Sequence, residues 1–144
     1  MKPTVTVNRA RDYIIEKNGY LFYLRKESNI KKNKKTLISN FISTVQRNMV
    51  TADRKIHSKP IDLANLHTFT FLVVNNGKNP VVSQVEMSPD GVTWESFGDL
   101  ELTVLPGQKQ IIVPQFFLRY VRIMFKNKNP GFNSFITIWF QGQR

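Results

Sequence analysis

The chain has 144 residues, 41% of them apolar, no cysteine and a formal charge of +11. That length is one domain with a short appendage, and the missing thiols exclude disulfide frameworks, thiol catalysis and cysteine-ligated zinc. The charge is uneven: residues 1–60 hold 14 Lys/Arg against four Asp/Glu, and residues 61–144 hold seven against six. A basic leader therefore precedes a near-neutral body, which fits either an acidic partner or a merely solvated arm.

Residues 1–35 read as a basic arm, and the run Lys31-Lys32-Asn33-Lys34-Lys35 marks its boundary with a domain over residues 36–144. Thr4–Val7 and Tyr20–Leu24 are its strand candidates. The start, MKPTVTVNRARDY, lacks the apolar run of a signal peptide, and Tyr20–Leu24 is too short to span a bilayer. Export would then require lysis, a non-Sec route or a particle. Arg9, Arg11, Lys31, Lys32, Lys34 and Lys35 are candidate contacts for a polyanion or nucleic acid. Tyr20, Leu21, Phe22, Tyr23 and Leu24 form an apolar block inside this charged arm. Such a block suits strand addition to a neighbouring subunit better than stacking on bases.

Thr36–Val50 fits two periods. Leu37, Ile38, Phe41, Ile42, Val45 and Met49 follow helical spacing, yet the Thr, Ser, Asn and β-branched content favours a half-buried strand, and strand is the expectation. Asp53–Asn65 is polar and broken by Pro60, so it reads as a connection with a short edge strand. Thr68–Asn75 (TFTFLVVN) places Phe69, Phe71 and Val73 on one face and Leu72 and Val74 on the other. A strand apolar on both faces is central, or has its second face covered by a neighbouring chain. Val81–Ser88 sets Val81, Val85 and Met87 against Val82, Gln84 and Glu86. A Pro89-Asp90-Gly91 turn then leads to Trp94. Leu100, Leu102 and Val104 alternate with Asp99, Glu101 and Thr103, the pattern of a half-buried strand. After Pro106-Gly107 come KQIIVP, Phe117–Phe125 and Phe135–Gln141. Seven or eight strands with turns every ~8–12 residues specify an all-β fold, an antiparallel jelly-roll-like β-sandwich behind an N-terminal extension.

Reactive constellations are scarce. Asp90 sits in a Pro-Asp-Gly turn whose chemistry explains it. Asp99 and Glu101, two apart, share the solvent side of a strand rather than forming a catalytic pair. His57 and His67 lack metal-ligand spacing, and no phosphate-binding glycine loop or nucleophile elbow occurs. No enzyme, cofactor or metal is therefore expected. Trp94 and Tyr120, with Phe97, are the candidate platform for sugar rings, while Trp139 lies in an apolar strand and reads as core. Arg119 and Arg122 straddle Tyr120, and their spacing of three places them on opposite faces, one of them covered and paired.

VTAD (Val50–Asp53), IDLANLHTFTFLVVNNGKNPV (Ile61–Val81), VEMSPDGVTW (Val85–Trp94), VLPGQ (Val104–Gln108), VPQFFLRYVRI (Val113–Ile123) and ITIWFQGQ (Ile136–Gln143) lie within the stretch from Phe41 to Gln143, about two-thirds of the chain. Together they resemble a family of small β-sandwich proteins found chiefly in spore-forming Firmicutes. RYVRI is also similar to discoidin-type sugar- or lipid-binding jelly rolls. The resemblance implies a β-sandwich without assigned enzymatic activity and transfers no catalytic residue. The expected function is a structural subunit that self-assembles into a filament or surface layer, at a spore surface or outside the cell. Its partners would be further copies of itself and cell-wall or spore-coat components. A carbohydrate-binding module and a polyanion or nucleic-acid binder are the alternatives, and a cytoplasmic setting is the alternative location.

Overall fold

In the computed structural model the chain divides into two compact units, Met1–Ile38 and Ser39–Arg144. The structure describes residues 40–96 and 100–144 in full, and the backbone of three earlier strands. Those strands, β1 (Thr4–Val7), β2 (Asp12–Lys17) and β3 (Tyr20–Arg25), form an antiparallel sheet in the order β1-β2-β3. β2, DYIIEK, is absent from the sequence-based expectation because charges flank its apolar residues. A signal was present nonetheless. Lys17 pairs with Tyr20, so Asn18-Gly19 separates the strands, and Asn-Gly is the strongest short hairpin signature.

The second unit is all β. Its strands are β4 (Phe41–Val50), β5 (Ile56–His57), β6 (Ile61–Asp62), β7 (Thr68–Asn75), β8 (Val81–Ser88), β9 (Leu102–Val104), β10 (Lys109–Ile112), β11 (Tyr120–Asn127) and β12 (Phe135–Gln143). One sheet has the order β10-β7-β12-β4, and the other runs β5-β11-β8-β9 with β6 also paired to β11. All the pairings are antiparallel.

Alternation builds the core. Phe69, Phe71 and Val73 of β7 and Ile136, Ile138 and Phe140 of β12 are buried against Val81, Val85 and Met87 of β8 and Val121, Ile123 and Phe125 of β11. The Phe71 and Phe140 rings meet at 5.2 Å, and Phe69 stacks on Phe140 at 5.8 Å. Aromatic pairs of this kind contribute about 1 kcal/mol each beyond area burial. β7 is central, between β10 and β12, as its doubly apolar pattern requires.

Two strands are shorter than their sequence pattern. β9 begins at Leu102, and Leu100 is 75% exposed. β11 begins at Tyr120 rather than Phe117, because its partner β8 ends at Ser88, opposite Tyr120. Pro89 follows and has no N–H to extend the ladder. Phe116 and Phe117 are consequently exposed, and the Phe117 ring touches Phe69 at 6.1 Å.

Candidate functional site: the outer faces and the free edge

The Asp90 turn supports everything near Trp94. Asp90 Oδ1 accepts the backbone N–H groups of Thr93 (2.7 Å) and Val92 (2.8 Å) and the Ser88 hydroxyl (2.9 Å). Its Oδ2 accepts the Thr93 hydroxyl at 3.0 Å. These donors, the Thr93 and Val92 amides first, hold its carboxyl far below the usual carboxylate range. Asp90 is thus a structural anchor. Gly91 takes φ +81 and passes against the Tyr120 ring, a conformation that glycine alone adopts freely.

Beyond the turn the chain folds back. Met87 and Glu95 exchange two backbone hydrogen bonds, at 2.9 and 3.1 Å. This returns Trp94 to the outer face of the five-stranded sheet, where its ring lies 4.0 Å from the Arg122 guanidinium carbon. The indole N–H donates to Gly91 O at 3.1 Å, which fixes the ring. Register brings the rest. Arg122 lies opposite Glu86, and its Nε and Nη2 both reach Glu86 Oε2 at 2.7 Å. His57 Nε2 approaches the same oxygen at 3.3 Å. The Arg122 and Glu86 side chains are only 19% and 13% exposed, so their pairing is far less screened than a surface ion pair.

Arg119 behaves differently from its expected place on the opposite face. It precedes β11, so alternation does not bind it. Its guanidinium pairs with Asp62 at 3.2 Å and lies over the Tyr120 ring, 5.2 Å from its centre. The Ala64 amide and then Arg119 hold the Asp62 carboxyl below its ordinary range. Trp94 and Tyr120, the two candidate platform residues, thus both approach Gly91.

The other outer face carries an apolar row. Val45, Trp139, Leu72 and Ile111 lie in register across β4, β12, β7 and β10. Trp139 is therefore half-exposed on the outside rather than a core residue, because β12 buries Ile138 and Phe140 and alternation turns position 139 outward. Arg47 covers its ring at 5.0 Å. A groove of about 220 Å³ is lined by Thr70, Leu72, Trp139 and Gln141.

At the margin of that sheet runs β4, ten residues long. Among the described residues its only strand partner is β12. The amide of Arg144 donates to Asn40 O at 2.8 Å, which sets the phase of the ladder. Ile42 and Thr44 therefore turn their backbone groups to β12, and Ser43 and Val45 turn theirs away from it. The other marginal strands have four residues (β10), three (β9) and two each (β5 and β6).

The remaining sequence candidates fall elsewhere. Arg9, Arg11, Lys31, Lys32, Lys34, Lys35, Phe97 and Asp99 lie outside the described residues. Tyr20, Leu21, Phe22, Tyr23 and Leu24 are in β3, which pairs with β2 on one side, and their side chains are likewise outside the description. Among the described residues no three His, Asp or Glu side chains gather as metal ligands, and no helix is long and apolar enough to cross a membrane.

Residues 62–144, 83 of the 144, match the family described as a domain of unknown function (DUF6385). The chain belongs to the DUF6385 family. The matched part of this DUF6385 protein carries Glu86, Trp94, Tyr120 and Arg122, while β4 and His57 precede it. No curated protein matches the chain. A crystal structure of PirA is similar at 13% identity, covering 75% of this chain and 99% of PirA, with a TM-score of 0.47. A structure of a CBM4 is similar at 14% identity, covering 99% of this chain and 78% of that one, with a TM-score of 0.37.

Proposed function

We propose that this protein is a non-enzymatic structural subunit that self-assembles, β3 of one copy adding to the free side of β4 of the next. The observation that carries this reading is β4 itself. A ten-residue marginal strand whose one described strand neighbour is β12 is a template for strand addition, and proteins usually shorten or guard such edges. Here the other margins are short and this one is long. The donor and acceptor differ, so the contact is head-to-tail, and a head-to-tail contact that does not close into a ring builds a filament. The apolar row Val45–Trp139–Leu72–Ile111 beside the edge supplies side-chain area for the same contact. The setting that goes with this reading is a spore surface or the outside of the cell, supported by the resemblance to β-sandwich proteins of spore-forming Firmicutes.

Light scattering and electron microscopy of the full chain, beside a chain lacking residues 1–38, test the reading. Filaments or large particles from the full chain, and small particles from the truncated one, are expected. Full-length protein that stays monomeric at high concentration rejects self-assembly. Equal assembly by both chains removes β3 from it.

A further inference from the structure

The outer face of the five-stranded sheet carries a second arrangement that self-association does not use. We propose that Trp94, Tyr120, Glu86, Arg122 and His57 form a binding site for a neutral sugar ring.

Rigidity is the first argument. The Trp94 indole is held from below by the Arg122 guanidinium at 4.0 Å and at its edge by the 3.1 Å bond to Gly91 O. Gly91 itself stands against the Tyr120 ring. Two aromatic rings, one from the loop after β8 and one from the start of β11, are thereby locked around one turn, and the Asp90 carboxylate fixes that turn through four hydrogen bonds. A preformed aromatic surface loses little conformational entropy on binding.

Charge decides the ligand class. Arg122 is neutralised by Glu86 at 2.7 Å and Arg119 by Asp62 at 3.2 Å, so neither cation is left over for a phosphate or carboxylate. A metal ion is equally disfavoured, because the Arg122 and His57 nitrogens converge on Glu86 Oε2. What remains is neutral and polar. The Trp94 face turned away from Arg122 offers a stacking surface for the C–H face of a pyranose. Glu86 Oε1, which receives no donor among the described residues, accepts a hydroxyl hydrogen, and the half-exposed His57 offers a second polar contact. Stacking plus a few placed polar groups is the general composition of a small-molecule site.

Only two tryptophans are present, which gives a local probe. In a full-length Trp139→Phe chain the remaining indole is Trp94. Its fluorescence is titrated with cello-, xylo-, manno-, laminari- and chitohexaose, and with hyaluronan and an oligonucleotide as anionic controls. Saturable binding of at least one neutral hexaose is expected. Trp94→Ala should weaken it at least tenfold, measured by calorimetry, while Trp94→Phe restores part of the affinity. Glu86→Gln, which keeps the shape but breaks the charge balance, should weaken the sugar and admit the anions. Near-UV circular dichroism and the melting temperature show that each variant is folded. Silence towards all neutral hexaoses, binding of anions alone by the parent chain, or full affinity in a folded Trp94→Ala chain each overturns the proposal.

Discussion

Asp90 shows how much one carboxylate organises. Its two oxygens satisfy two backbone amides and two hydroxyls within six residues, and only an ionised group accepts all of them well. The folded state therefore lowers its pKa below the unfolded value of about 4. A group lowered in this way contributes stability that is complete above the unfolded pKa and is lost as pH falls towards the folded one. Asp53, held down by the Gly131 amide and then Asn127, and Asp62 shift in the same direction. The melting temperature should therefore be level near neutrality and drop below about pH 4. In Asp90→Asn that acid slope should flatten, since the amide does not titrate. Asp90→Ala should melt lower than Asp90→Asn, because the amide oxygen still caps the turn. A slope unchanged in Asp90→Asn would assign the acid transition to other groups. The Pro-Asp-Gly turn was legible from residue types alone, whereas its neighbour Arg122 was not. The Arg122 contact with Trp94 depends on the β8–β11 register and on the Met87–Glu95 bridge, and neither leaves a local trace in the sequence.

At the scale of elements, strands were legible where one face is buried, because period-two alternation is then strict. Their ends were less so. β11 loses Phe117–Arg119 to the proline that stops its partner, and β9 loses Leu100, which no alternation could reveal. A buried polar junction also escaped the pattern. Asn75 closes β7 with no exposed surface, and its amide nitrogen donates to Asn79 O at 2.8 Å and Val104 O at 2.9 Å. Its side-chain oxygen accepts from Gly77 N at 3.0 Å and the Ser134 hydroxyl at 2.8 Å. One side chain thus ties the end of β7 to β9, to the turn before β8 and to the segment before β12. Gly77 belongs to the same junction, since a Cβ there would fall 1.9 Å from Ser134 Oγ. Asn75→Ala leaves several of these groups without partners, at about 1–3 kcal/mol for each one that stays dry. A loss of about 3 kcal/mol, read as a lower urea midpoint at unchanged slope, is expected. Asn75→Asp should cost at least as much, because it turns an oxygen towards two carbonyl oxygens. If both variants match the parent, the junction is ornamental to stability.

For the whole molecule, the question is what a long free margin does when many copies meet. β3 and β4 lie in separate compact units, so a single chain carries both a strand to donate and an edge to receive one. Blocking only the receiving edge separates the two roles. Ser43 turns its N–H away from β12, so Ser43→Pro removes an outward donor and leaves the internal ladder intact. Proline is tolerated at such an edge position and obstructs further pairing. A Ser43→Pro chain should fold, with a melting temperature within a few degrees of the parent, since mild surface changes stay within about 0.5 kcal/mol. Alone, it should remain small in light scattering. Mixed at one part in ten with parent protein, it should still donate β3 but accept nothing, and so end each filament that it joins. Mean filament length in electron micrographs should then shorten in proportion to the fraction added. A Ser43→Thr control, which keeps the N–H, should leave length unchanged. Filaments of full length in the mixture would mean that β4 is not the receiving edge. The apolar row of Val45, Trp139, Leu72 and Ile111 would then be the remaining surface on the four-stranded sheet for copies to share.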